Sequence, residues 1–543
     1  MQFTDVKNIP ISLMVKLPID KRRDVFTTLL NKCDELINTT IELSAENQTL
    51  KDEINRFKGE KGKPVIPKNI KSKGDNPKDK KGKPKGRGKN KKTKEIETQF
   101  TKEINVNKKT LPKDAQYKGT RDVVIQDINF SLANIKFVLH KYYSPTLGKT
   151  FEGELPPEYK GSLFGPGIWS FVIQFHYEGR MTQNLIFKTL IGLGIQISEG
   201  EISNMILCHS KFEIERKNLR EAGISRSDYS QIDDTGARLN GKNGYCIAVC
   251  NQFFTDYYTT LSKNREAAVR ALVGSDLKFM LNSIAIDYIA DKISNKSIMA
   301  QLIKLESNRL YDLESFTKKI LNIIILNVKK INSKWMKHIK EGCVIGAFRA
   351  NVLCVRSNIL ICDDAPQFKG ILEYLGLCLI HEERHYAKLT PNHPDFIKAV
   401  SDFREAFWNF YKKLKIYKEV PSKKMKKELS LEFDLIFSAE TCYFALNQLM
   451  EKTRAKKEEL LLVLEFPSIP LHNNTSELAM REKVIQRKIR GYFRSLAGAK
   501  ASDVFLGLMG TCRKIGVSFG EYIKDRFYHR YKIPPLGDLI WMS

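Results

Sequence analysis

Residues 58–94 most constrain what this chain can fold into. The stretch is Lys, Gly, Pro and Asn with almost nothing apolar, and it holds 16 Lys/Arg against 3 Asp/Glu. Such a segment cannot bury a core, so it is expected to be a disordered tether between separately folded parts. It accounts for just under half of the net charge of +28. Charge of one sign at this density points to a polyanionic partner, with nucleic acid the expected one. Lys81, Lys83, Lys85 and Arg87 are candidates for contacts with phosphates that ignore base sequence.

On the N-terminal side of that tether, residues 20–57 read as one helix. Leu29, Leu36, Leu43, Leu50 and Phe57 recur every seven residues, interleaved with Phe26, Cys33, Thr40, Asn47 and Ile54. This seam predicts a dimerising coiled coil over residues 1–57, and hence at least a homodimer. An amphipathic helix packed on its own domain is the alternative.

The C-terminal side is long enough for several domains in a chain of 543 residues. Residues 95–178 alternate short apolar runs with Gly and Pro, which suggests a small β-rich module. Residues 179–225 read as two short helices across Gly194, the second opened by Ser198 with Glu201. That is the outline of a helix-turn-helix DNA-binding region, although helical hairpins that bind no DNA look the same.

From residue 226 the period changes. Residues 229–236 read as a strand ending in Asp233-Asp234, and residues 244–250 and 254–261 complete an antiparallel meander. A buried strand, Asn358-Ile359-Leu360-Ile361-Cys362, ends in Asp363-Asp364, and residues 371–380 are apolar again. Residues 265–345 and 385–465 are apolar at helical spacing and are expected to be helical insertions in a domain spanning 226–500. Residues 501–543 read as a helical tail.

Ten cysteines are scattered without a Cys-x-x-Cys pair, Cys246 and Cys250 being the nearest two. Reduced thiols in a cytoplasmic setting are expected rather than a disulfide frame or a zinc ribbon. No apolar run reaches about 18 residues, so no membrane span is expected, and the N-terminus has no signal-peptide pattern.

The chemistry should lie at three acidic points. A turn explains either Asp-Asp pair alone. A third carboxylate, Glu477, falls three residues after Asn474 at the head of a helix carrying Arg481, Lys483, Arg487, Lys488 and Arg490. Taken alone, Asn474 and Glu477 would form a capping box. Together with the two acidic strand ends, Glu477 fits a site for divalent metal on a ribonuclease H-like sheet. Hard oxygen ligands suit Mg²⁺ or Mn²⁺, and two such ions would assist both oxygens of a phosphoryl transfer.

The chain resembles DDE transposases of the insertion sequence 66 family. The resemblance rests on the zipper-like helix with its basic linker, on Ile232-Asp233-Asp234-Thr235-Gly236 and on Asp363-Asp364-Ala365-Pro366-Gln367-Phe368. Its most specific part is Asn473-Asn474-Thr475-Ser476-Glu477, continuing through Arg481 to Phe493-Arg494-Ser495. It implies that Asp233, Asp363 and Glu477 are the catalytic and metal-binding acids, with Asp234 and Asp364 as second choices. Arg481, Lys488, Arg490 and Arg494 become candidate DNA contacts, as do His381, Arg384 and His385. The implied activity is cutting at transposon ends and joining the 3′-OH to target DNA, in the cytoplasm at the nucleoid. Accessory transposition proteins are a further partner that the resemblance allows. One departure is that residues 95–180 lack the cysteine-rich, zinc-finger-like segment of many relatives. A descendant that binds DNA without catalysis would carry the same features.

A rival reading is a zinc metalloprotease. His381-Glu382-Glu383-Arg384-His385 matches His-Glu-x-x-His, with Glu405 twenty residues beyond as a third ligand. It leaves the basic linker and the acidic strand ends without explanation.

Overall fold

The computed structural model describes residues 18–57, 101, 103, 132–327, 332–350 and 357–543. The basic stretch 58–94, with Lys81, Lys83, Lys85 and Arg87, lies outside the described residues. The chain divides into two compact units, one formed by Met1–Ser44 with Lys136–Ser543 and the other by Ala45–Ile135. Most of the second unit is outside the described residues, and the first holds every strand.

Helix α1 (Ile19–Phe57) opens the described chain. In its first half it docks on the main unit by a polar face rather than by its heptad seam. Val25 and Asp34 are buried. Asn31 donates to the Cys442 carbonyl at 2.8 Å and accepts from the Phe444 N–H at 2.6 Å. Asp34 accepts from the Asn392 N–H at 2.9 Å. Phe26, Leu36 and Leu43 of the seam stay exposed.

Among its described residues, the region expected to be a β-rich module holds one exposed hairpin, β1 (Lys141–Ser144) with β2 (Lys149–Glu152). The apolar run at residues 135–139 forms no strand, and residues 166–177 are helical rather than part of a β-rich module. Pro166 starts that helix, α2 (Pro166–Tyr177), at a position where its missing N–H costs nothing. Val172, Ile173 and Tyr177 then bury one face. The next two helices follow the sequence closely. α3 (Gln183–Gly192) is capped by Thr182, and α4 (Glu199–Ile206) by Ser198, whose hydroxyl accepts from the Glu201 N–H at 3.1 Å. Gly194 between them takes φ +85°, which a glycine adopts without strain. α5 (Glu213–Ser225) leads into the sheet.

That sheet has five strands in the order β5-β4-β3-β8-β9. β3 (Tyr229–Leu239), β4 (Lys242–Cys250) and β5 (Thr255–Thr260) form the antiparallel meander. Cys246 and Cys250 are buried free thiols on its middle strand. The chain then runs through α6 (Arg265–Val273), β6 (Phe279–Leu281), α7 (Ser283–Ala290), β7 (Ser307–Tyr311) and α8 (Ser333–Arg349). The first insertion is thus not wholly helical. The short buried run Phe279-Met280-Leu281 pairs antiparallel with β7. The sheet resumes with β8 (Ile359–Cys362), buried throughout and parallel to β3, and β9 (Tyr374–Leu377), parallel to β8.

α9 (Leu379–Ala387) follows β9 directly. α10 (Pro394–Glu419), α11 (Lys423–Phe437) and α12 (Phe444–Arg454) build the second insertion around Phe403, Phe407, Phe433 and Phe437. α13 (Asn474–Arg490) and α14 (Leu496–Lys514) return to the sheet, and α15 (Phe519–Phe527) and α16 (Leu536–Met542) close the chain.

The final helices are not a tail. Asp503 of α14 accepts from the Thr259 N–H at 2.7 Å and from its hydroxyl at 2.8 Å, so α14 is bonded to β5. Tyr257 on the same strand face donates to the Ala479 carbonyl of α13 at 2.9 Å. On the opposite face Asp256 is held by Arg216 at 2.7 Å and by Arg220, both from α5. Helices therefore cover both faces of the sheet. Side chains alternate across a strand, and the register sets Asp233 beside Ala248 and Tyr257. Asp233 thus faces the layer of α13 and α14.

Candidate active site

The site is built where β3, β8, α9 and α13 meet. β3 and β8 run parallel, with Gln231 beside Ile361. Carried two residues on, that register sets Asp233 beside Asp363, the residue after β8 ends. The loop before α13 is stitched to the same strand. Gln231 Nε2 donates to the His472 carbonyl at 2.9 Å, and Asn473 Nδ2 to the Ile232 carbonyl at 2.9 Å. The Asn473 N–H also meets Cys378 Sγ at 3.2 Å. Asn473 is wholly buried, so the start of α13 is fixed against β3 and against the β9–α9 junction.

These ties replace the expected capping box. Asn474 is the first helical residue, and Asn473 precedes it without a side-chain cap. The Glu477 carboxylate does not fold back on the backbone. It takes both guanidinium N–H groups of Arg384, at 2.9 and 3.1 Å.

The acids converge. One ligand atom each from Asp363, Cys378 and Glu477 lies within 4.8 Å of the others. Asp233 belongs to the same electrostatic cluster. Burial, and then the negative charge of Asp363, push its carboxyl up to about 7, with smaller pushes from Asp234 and Glu477. The Asp234 N–H, donating to it at 2.8 Å, works in the other direction. Asp363 Oδ1 is buried without a hydrogen-bond partner among the described residues. His381 Nδ1 stands 3.1 Å from Asp363 Oδ2, and that approach raises the imidazole's pKa against the effect of burial.

The neighbouring acids are differently placed. Asp234 is paired with Lys263 at 2.7 Å and accepts from Gln367 Nε2 at 2.6 Å. Asp364 is held between Lys369 and Lys456, the latter at 3.2 Å. Burial alone would raise the Asp364 carboxyl, but the two lysines outweigh it and hold it below its usual range. Each second-choice acid thus has a lysine counter-ion. Asp233 has no such partner among the described residues, and its proton affinity is raised instead.

A half-buried carboxylate cluster with one unpartnered oxygen among the described residues and one acid pushed toward neutrality is short of positive charge. Divalent cations with oxygen ligands satisfy that need. Asp363 and Glu477, with Cys378 beside them, are the residues whose ligand atoms could hold such an ion, and Asp233 shares their field.

The His-Glu-x-x-His stretch lies on α9, and its histidine rings sit 5.2 Å apart. Its glutamate is not poised as a base. Glu382 is buried, accepting from the Thr453 hydroxyl at 2.6 Å and pairing with Lys456 at 2.6 Å. His381 points to Asp363, and burial lowers the pKa of His385.

The cations of α13 and of the turn after it separate into two sets. Arg481, Lys488 and Arg494 are exposed. Arg490, expected to contact DNA, instead packs over the Tyr177 ring, with two guanidinium nitrogens buried and unpartnered. Burial pulls its pKa down to about 10, so it remains charged at neutral pH. Lys483 is buried and paired with Asp503 at 2.5 Å, and Arg487 donates to the Gly236 carbonyl. After α13, Gly491-Tyr492-Phe493 turns back so that the Phe493 N–H reaches the Arg238 carbonyl at 3.0 Å.

Sequence reasoning missed Cys378, Asn473, Lys263 and Lys456. Only Cys378 has a local signal, since it caps α9 by accepting from the His381 N–H. The others act through partners distant in the chain.

Comparison with known proteins bears on the same segment. Residues 359–501, from β8 into α14, match the family model described as the IS66 transposase family. That segment contains Asp363 and Glu477 but not Asp233. The uncharacterized protein y4jO of Sinorhizobium fredii is 33% identical over 320 residues, which is 59% of this chain and 98% of the relative. With the acid-bearing β8, α9 and α13 inside the matched segment, this chain belongs to the IS66 transposase family.

Proposed function

We propose that this chain is a DDE-type DNA transposase whose catalytic acids are Asp233, Asp363 and Glu477. The convergence of these acids from β3, β8 and α13 carries the reading. The sheet order, a three-stranded meander continued by two parallel strands, supports a ribonuclease H-like core. The three carboxylates would hold Mg²⁺ or Mn²⁺, two ions by the chemistry of phosphoryl transfer. When bound, the metal activates the attacking oxygen and stabilises the leaving one.

The chain's own residues position and neutralise. The Asp233 carboxyl, pushed up to about 7, is only partly ionised at neutral pH and would give up its proton as the centre gains positive charge. His381 balances Asp363, and the ties from Gln231 and Asn473 keep Glu477 in register with β3. Arg481, Lys488 and Arg494 face solvent and offer phosphate contacts. In the first step a water oxygen attacks phosphorus at the element end. The bond from phosphorus to O3′ breaks, leaving a 3′-OH on the element and a 5′-phosphate on the flank. That hydroxyl then attacks a target phosphodiester, loses its proton to solvent and releases a target 3′-OH. The exposed seam of α1, at Phe26, Leu36 and Leu43, supports assembly through a second copy. Among the described residues no helix is long and apolar enough to cross a membrane.

The test is an assay with labelled DNA carrying the element's own ends, in Mg²⁺ or Mn²⁺ with an EDTA control. Metal-dependent 3′-OH ends that join a second DNA are expected. Tight binding with neither nicking nor joining would overturn the catalytic reading.

A further inference from the structure

Glu477 is the one acid of the centre whose two oxygens are both taken. Arg384 grips them as a fork, at 2.9 and 3.1 Å. Charge-assisted pairs of this bidentate form are stronger than single contacts and fix both partners. A carboxylate so held has both oxygens engaged by the guanidinium, although one of them lies within 4.8 Å of the Asp363 and Cys378 ligand atoms. Asp363, by contrast, keeps a buried oxygen without a partner among the described residues. A cation at Glu477 would therefore compete with Arg384 for the same carboxylate.

We propose that Arg384 is a built-in counter-ion that a divalent cation must displace from Glu477. It is a positioning residue whose ion pair competes with the metal for the same carboxylate. The inference rests on the reading of Asp233, Asp363 and Glu477 as metal ligands.

Three observations make the exchange physical. The pair is asymmetric, with the Glu477 side chain 15% exposed and that of Arg384 43% exposed, so the guanidinium has a path to water while the carboxylate stays. Arg384 makes no other ion pair among the described residues, so its release breaks no second one. Its helix is anchored independently. Cys378 caps α9, Glu383 pairs with Arg404 at 2.7 Å, and the Tyr386 hydroxyl donates to the Leu449 carbonyl at 3.2 Å. A side-chain rotation then suffices, without movement of α9. The alternative, a cation sharing Glu477 with Arg384, would set a divalent charge against a guanidinium at contact distance, which is strongly unfavourable where water is partly excluded.

The test is Mn²⁺ binding to the full chain without DNA, read from the EPR signal of free Mn²⁺. Arg384→Met is expected to bind Mn²⁺ roughly fivefold more tightly than wild type, the partly exposed pair being worth no more. Arg384→Lys keeps the charge but loses the fork, and should fall between the two. Lys263→Met removes an equal charge from Asp234 nearby and should change affinity less than about twofold. Asp363→Asn and Glu477→Gln should weaken binding. If those two variants leave affinity unchanged, the metal reading fails and this inference with it. If they weaken binding while Arg384→Met does not tighten it, the ligand reading stands and displacement is wrong. Equal tightening in Arg384→Met and Lys263→Met would reduce the effect to general charge and also overturn displacement.

Discussion

Asp233 and Asp234 are adjacent in sequence and opposite in circumstance. Alternation along β3 sends them to different faces, where Asp234 meets Lys263 and Gln367 while Asp233 meets other acids. Composition could show an Asp-Asp pair but not rank its members, because the ranking depends on a lysine 29 positions away and on strand pairing. The crowding of Asp233 has a pH signature. Its carboxyl, raised to about 7 in the folded chain, ionises near 4 when unfolded. The stability it contributes is fully present below about pH 4 and is lost as pH rises toward 7. In EDTA, Asp233→Asn should therefore melt about 2 °C above wild type at pH 8, and the gap should narrow by pH 5. Equal melting at both pH values would mean that Asp233 is not held in a field of like charge.

At the scale of elements, the local signals were legible and the distant ones were not. The meander, β8 and the Ser198 cap follow from residues within a few positions of one another. The β6–β7 pair and the bonding of α14 to β5 through Asp503 and Thr259 depend on contacts that no period reveals. α9 illustrates how a short motif misleads. Its His-Glu-x-x-His spacing is real, but the buried Glu382 is committed to Lys456 and Thr453. Glu382→Gln should cost about 2 kcal/mol in a denaturant melt, from a half-buried lysine losing one of its two carboxylate partners, with no change in bound zinc. Loss of stoichiometric zinc in that variant would revive the protease reading. α13 makes a similar point. The cations of that helix and of the turn after it looked alike in sequence, yet Arg490 is packed over Tyr177 whereas Arg481, Lys488 and Arg494 face solvent. Alanine at each exposed position should weaken duplex binding for all sequences and lower the salt slope by about 1. Arg490→Ala should lower stability and leave the slope unchanged. The reverse pattern would place the DNA elsewhere.

For the whole molecule, the heptad seam was legible, but the face by which α1 docks was not. Asn31 and Asp34 fall off the seam and find partners near residues 392 and 443, so the helix belongs to the main unit through its polar side. The same helix thus packs on the main unit along one side, as the alternative reading of its periodicity expects, while Phe26 and Leu36 stay exposed on another. Charge at this scale is expected to act through residues 58–94. Deleting them should weaken DNA binding evenly across sequences and flatten its dependence on salt. An unchanged slope would reduce the segment to a spacer. The central claim is that three acids from β3, β8 and α13 form one metal-dependent centre, and cleavage of labelled element ends by single variants tests it most directly. Asp233→Asn, Asp363→Asn and Glu477→Gln should each lose about a thousandfold in cleavage or more while duplex binding holds within about twofold. Asp234→Asn and Asp364→Asn, whose acids are paired with lysines, should lose less than about tenfold. Normal cleavage by any of the first three, or equal loss in the last two, would contradict the account.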